Sequence, residues 1–95
     1  MKTRIPASHP ALPGHFPGQP VVPGVVLLDL VQAALCETIR GARITGLPSV
    51  KFLAPLRPEE DVEITVSPKS PGNAGFDICR DKLPIVTGSL RYETG

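Results

Sequence analysis

The sequence has no tryptophan and only four aromatic residues, Phe16, Phe52, Phe76 and Tyr92. Proteins that hold single-stranded nucleic acid stack its bases on exposed aromatics, so this scarcity argues against such a role. Excess charge is also lacking. The formal net charge is +1, with the basic residues scattered, so no strong field favours a DNA backbone or an anionic membrane. No uninterrupted apolar run approaches the roughly 20 residues that span a bilayer. The longest apolar stretch, 21–35, is broken by Pro23, Gly24, Asp29 and Gln32. The opening "MKTRIPASHPALPG" has no apolar segment of the kind a secretory signal requires. The two cysteines, Cys36 and Cys79, are not spaced as metal ligands and sit in apolar patterns. The expectation is two small, reduced core residues in a cytoplasmic protein, with no metal and no cofactor.

What is present is a core and an unusual loop. Hydrophobic residues make up 41% of the 95, enough for a buried centre and short enough for one domain. A domain of this size buries a modest fraction of its surface, and a partner subunit is a common remedy. Pro10, Pro13, Pro17, Pro20 and Pro23 crowd the stretch between residues 9 and 23, together with Gly14 and Gly18. They forbid regular structure and stiffen the backbone. A helix should begin near Pro23 or Gly24, because proline suits a position whose N–H has no partner. It should end at Gly41 with Arg40 in its last turn, about five turns or roughly 27 Å. Its first three turns are apolar on almost every side, so burial on almost every side is expected.

The remainder reads as strands. "KTRIPAS" suits a short strand that Pro6, which cannot donate to a ladder, confines to a sheet edge or a strand end. Residues 49–56 form a second candidate, ended by Pro55 and Pro58. Residues 62–67 alternate Val62, Ile64 and Val66 against Glu63, Thr65 and Ser67. A turn at 70–73 leads to 74–80, with Phe76 and Ile78 on one face. Asp81 and Lys82 suit a tight turn before 85–92. One helix followed by antiparallel-type strands is an α+β layer, not an alternating β/α pattern.

Three residues carry candidate chemistry. Asp29 is a carboxylate within the apolar helix, costly there unless paired or protonated. The competing reading puts it on a solvated strip with Gln32 and Cys36, three and seven residues on. His15 lies in the proline/glycine loop, where a fixed backbone can hold a base within reach of a proton. His9, in "SHP", has no such setting. Gly24 would open the helix with unpaired N–H groups that can receive a developing negative oxygen, or would simply start the helix. A base, an acid and amide donors on an apolar wall would suit proton abstraction beside a carbonyl.

"GHFPGQPVVPGVVLLDLVQ" (14–32) closely resembles the signature of the hotdog-fold 3-hydroxyacyl-[acyl-carrier-protein] dehydratases, and "VKFLAPLRPEEDVEITV" (50–66) resembles their central strands. The resemblance covers most of residues 9–92. It implies an antiparallel sheet wrapped around one long central helix, and a homodimer with sites between subunits; a higher oligomer or a heterodimer stays open. It makes His15 and Asp29 the catalytic pair, drawn from different subunits. Gly24 would bind the thioester carbonyl, with Phe16 and Val22 lining the acyl tunnel. The substrate would be a 3-hydroxyacyl thioester of acyl carrier protein or coenzyme A in fatty-acid or polyene synthesis. The short form with Asp also resembles aryl-polyene dehydratases. The chain departs from the family in four places: Val22 replaces a usual methionine, Ala33 stands where glutamine is common, Gln32 comes one position earlier, and Glu59 replaces a common turn glycine. The alternatives are a non-catalytic hotdog subunit or acyl-binding protein, and a hotdog thioesterase.

Overall fold

In the computed structural model, residues 1–6 and 22–94 are described. A short strand β1 (Lys2–Arg4) is followed by helix α1 (Gly24–Thr38). Four strands complete the chain: β2 (Ala42–Phe52), β3 (Asp61–Ser70), β4 (Asn73–Arg80) and β5 (Leu83–Thr94). The five strands form one sheet in the order β1-β3-β4-β5-β2, antiparallel throughout. This is the hotdog fold, with the helix on the sheet's apolar face.

The period-two pattern decides which face that is. Val62, Ile64 and Val66 are buried while Glu63, Thr65 and Ser67 are exposed. Their register partners Phe76 and Ile78 on β4, and Val86 on β5, continue the buried layer. From the helix, Val26, Leu27, Val31, Ala34 and Leu35 pack into the same cluster. Val31, Leu35, Ile78 and Val86 are fully inaccessible, each contributing about 1.5–3 kcal/mol of transfer free energy.

Burial on almost every side is not what the single chain shows. Val25 is 68% exposed, and Asp29, Ala33 and Cys36 are also exposed. One five-stranded sheet covers one side of a helix, and the opposite stripe faces outward. The cysteines likewise depart from expectation: both are free, Cys36 exposed and Cys79 half-buried, so neither is a core residue. Burial, with Asp77 and Glu63 nearby, pushes the Cys79 thiol up.

The helix stops earlier than the glycine suggested. Ile39 is already extended, Arg40 lies beyond the last turn, and Gly41, at φ 78°, completes the reversal into β2. Fifteen residues give about 22 Å, roughly four turns. Strand β2 correspondingly begins at Ala42 rather than 49 and ends at Phe52 rather than 56. Its punctuating Gly46 and Pro48 are absorbed because β2 is an edge strand whose register with β5 shifts between Gly46 and Ser49. β1 occupies the other edge, as Pro6 suggested, tied by the N-terminal ammonium donating to the Ile64 carbonyl at 2.8 Å and by Arg4 against Asp61.

The turns match their residues less comfortably. Asp81 and Lys82 are both at positive φ, 52° and 67°, the geometry of a two-residue hairpin that normally selects Asn-Gly. Glu59 is also left-handed at φ 67°, a conformation for which glycine is the usual choice.

Candidate active site at the helix start

Pro23 precedes α1 in an extended conformation and brings no side-chain cap. The first paired amides are those of Val26 and Leu27, which both donate to the Pro23 carbonyl, at 3.0 and 3.3 Å. Among the described residues nothing accepts from the Gly24 or Val25 N–H, and no acidic side chain sits in the first turn. Among the described residues, then, these N–H groups at the positive end of the helix have no acceptor.

An apolar cavity of about 350 Å³ adjoins these amides, walled by Val22, Gly24, Leu27, Phe52, Leu53 and Leu56 among others. Its construction is specific. Val22 N–H donates to the Leu56 carbonyl at 2.8 Å, joining the chain entering the helix to the segment after β2. Leu53 N–H donates to the Ile85 carbonyl at 2.8 Å. Arg80 then braces the segment by donating to both the Pro55 carbonyl and Glu60 Oε1, each at 3.0 Å. Phe52, 56% exposed, lies so close to Gly24 that a Cβ there would stand 3.2 Å from its Cζ. A side chain at position 24 would therefore crowd that ring.

A larger depression of about 710 Å³ lies on the sheet's outer, polar face between Lys2, Arg4, Glu63 and Lys82. Arg4 pairs with Asp61 in its wall at 2.8 Å, and it has neither a helix terminus nor α1 there. The smaller cavity has the better chemistry despite its size.

The candidate residues do not all converge. Val22 and Gly24 share the cavity. Asp29 does not line it; five residues along a helix turn it about 140° from Gly24, onto the exposed stripe. Cys36 is exposed with it while Gln32 is half-buried, so within one chain the solvated-strip reading fits Asp29 and Cys36 and not Gln32, and among the described residues no group bonds the Asp29 carboxylate. His15 and Phe16 lie outside the described residues. Phe52, Leu53, Leu56 and the Arg80 brace were missed from sequence; an apolar pair directly before Pro55 was the available signal. Among the described residues no three His, Cys, Asp or Glu side chains gather as metal ligands. None of the described helices is long and apolar enough to cross a membrane.

Comparison with known proteins bears on this geometry. The family model for ApeI-like proteins, described as ApeI dehydratase, matches residues 1–89. The 3-hydroxyacyl-[acyl-carrier-protein] dehydratase FabZ of Klebsiella pneumoniae is 31% identical over 84 residues, covering 88% of this chain and 43% of that protein. FabZ of Haemophilus influenzae is 28% identical over 71 residues, covering 65% of this chain and 48% of that protein. The chain thus spans about half the length of the curated relatives it matches. Among solved structures, the dehydratase heterocomplex ApeI:P from Xenorhabdus doucetiae superposes with a TM-score of 0.80 at 23% identity, covering 96% of this chain and 82% of that one. A mutant of the fluoroacetyl-CoA-specific thioesterase FlK superposes at 0.76 with 15% identity, covering 97% and 84%. At these identities both structures establish the fold alone.

Proposed function

Because the chain belongs to the ApeI-like dehydratase family, we propose that it removes water from a 3-hydroxyacyl thioester to give the 2-enoyl thioester. The thioester is carried by acyl carrier protein or coenzyme A in the cytoplasm, for fatty-acid or polyene synthesis. The observation that carries this reading is the uncapped helix start opening beside an apolar cavity. A thioester oxygen placed there accepts from the Gly24 N–H at the positive end of α1, and the charge developing on it as the α-proton leaves is stabilised. The acyl chain lies against Val22, Phe52 and Leu53, and the resemblance adds Phe16 to that lining. His15 takes the α-proton, and the 3-hydroxyl departs as water with a proton from an Asp29 carboxyl.

That carboxyl belongs to a second chain. In one protomer Asp29 and the Gly24 cavity lie on opposite flanks of α1, so one helix serves two sites: its amides in one, its acid in the other. This supports a homodimer with sites between subunits, in which the exposed stripe of α1 turns toward the partner. The experiment is turnover of a 3-hydroxyacyl thioester by the purified protein, followed by mass spectrometry for loss of water. His15→Ala and Asp29→Asn are expected to lower the rate ~10²–10⁴-fold each. Full activity in either variant contradicts the assignment, and release of free thiol instead of enoyl product identifies a thioesterase.

One observation favours a second reading. The superposed ApeI protein is part of a dehydratase heterocomplex. If this chain also works with a non-identical hotdog subunit, it is inactive alone and turns over substrate only when that partner is added.

A further inference from the structure

Gln32, half-buried beside the exposed Asp29, is bonded to the sheet. Its Nε2 donates to the Ala42 carbonyl at 2.9 Å, and its Oε1 accepts from the Ile44 N–H at 2.8 Å. Ala42 and Ile44 are two residues apart on β2, an edge strand, so the carboxamide binds that edge as another peptide unit would. Cys36, one turn further along, donates to the same Ala42 carbonyl at 3.2 Å and receives Gln32 Nε2 at 3.2 Å. The helix is thereby clasped to β2 at a point less than one turn from Asp29.

The core alone does not fix this so tightly. Val26, Leu27, Val31, Ala34 and Leu35 hold the helix by apolar burial, which has no direction of its own and tolerates a small roll or slide. Two hydrogen bonds from one planar amide to two atoms of one strand tolerate neither. Asp29 and Gln32 are three residues apart and so project about 60° from each other around the axis. A roll about the axis that displaced Asp29 would break the clasp.

We propose that Gln32 is a positioning residue: through its clasp on Ala42 and Ile44 it sets the rotation and height of α1 at which Asp29 meets its substrate. The proposal rests on the dehydratase reading above. Position 33 points outward while position 32 reaches the strand.

The test is a double-mutant cycle on dehydration of a 3-hydroxyacyl thioester. Gln32→Met keeps the side-chain length and removes both bonds. It is expected to lower kcat ~10- to 100-fold, the order that a displacement of ~1 Å costs, with KM within about threefold of the wild type. In the Asp29→Asn background the same change should cost less than about threefold, because there is no acid left to position. Equal losses in both backgrounds, or kcat within twofold of the wild type, overturn the proposal and leave Gln32 a structural staple. If Gln32→Met does not fold, Gln32→Glu, which keeps the acceptor for Ile44 N–H, is put through the same cycle with the same criteria. Wild-type protein that never forms the enoyl product overturns the dehydratase reading and this proposal with it; wild-type turnover with equal losses overturns the proposal alone.

Discussion

Replacing Gly24 by alanine separates the chemistry proposed for the helix start from its structural role. The added Cβ stands 3.2 Å from Phe52 Cζ and 3.4 Å from Cε1, so the ring has to give by a few tenths of an ångström. It can, because Phe52 is more than half exposed and no backbone atom lies in the way. Alanine also favours helix over glycine by up to ~1 kcal/mol. The two effects nearly cancel, so stability should stay within ~1 kcal/mol of the wild type, a Tm shift below ~8 °C for a domain of this size. Catalysis is a different matter. On the proposed chemistry the added methyl, set between the helix start and the Phe52 ring, crowds the thioester oxygen as it approaches the Gly24 N–H. Losing one such donor costs ~3–4 kcal/mol, or ~10²–10³ in kcat. The assay is paired: kcat for enoyl formation and a thermal melt on the same preparation. Activity within threefold of the wild type refutes the role given to the amide. Activity lost in step with a large drop in Tm refutes the claim that the ring yields.

Other outcomes follow from the fold. Replacing Asp81-Lys82 by Asn-Gly should stabilise the protein by about 1 kcal/mol in urea denaturation, because both residues now occupy positive φ against their preference. Gly88→Ala should cost at least ~2 kcal/mol in the same assay, since its Cβ would collide with the Ser49 backbone carbonyl and lie 2.9 Å from Phe76 Cζ, and the carbonyl can move only if β2 leaves β5. Cys79 should alkylate more slowly than exposed Cys36 at pH 8, read by peptide mass spectrometry, because its thiol is half-buried and held protonated above its usual range. The folded state therefore binds that proton more tightly than the unfolded one. The stability it confers is intact below pH 9.0 and is lost as pH rises beyond it.

The sequence foretold the alternating strands best. Val62, Ile64 and Val66 against Glu63, Thr65 and Ser67 fixed both the strand and its buried face, because one side of that sheet meets apolar side chains and the other meets water. Gly24 as the helix start and the Asp81-Lys82 turn were equally legible from backbone chemistry. Boundaries set by tertiary contacts were not. Residues 42–48 were not among the expected strand residues, yet an edge can hold a bulge and a proline that a central strand cannot. The first three turns of the helix appeared buried on almost every side because their composition is apolar, whereas composition does not say whether the covering surface belongs to the same chain. Within the candidate site, Gly24 and Val22 were readable from the motif. Phe52 and Leu53 were not, since their place beside the helix start depends on how the chain returns after β2. Gln32 was visible only as a polar neighbour of Asp29; its hold on Ala42 and Ile44 depends on the turn through Gly41.

Mixing two inactive variants tests most directly whether histidine and acid come from different chains. His15→Ala and Asp29→Asn subunits, each expected to be nearly inactive alone, are combined in equal amounts and allowed to exchange. If each site takes His15 from one chain and Asp29 from the other, half of the dimers contain one intact site, and about a quarter of the wild-type rate returns. If both residues act within one chain, every site in the mixture is broken. A mixture no more active than its components, with subunit exchange verified by mass, contradicts the account.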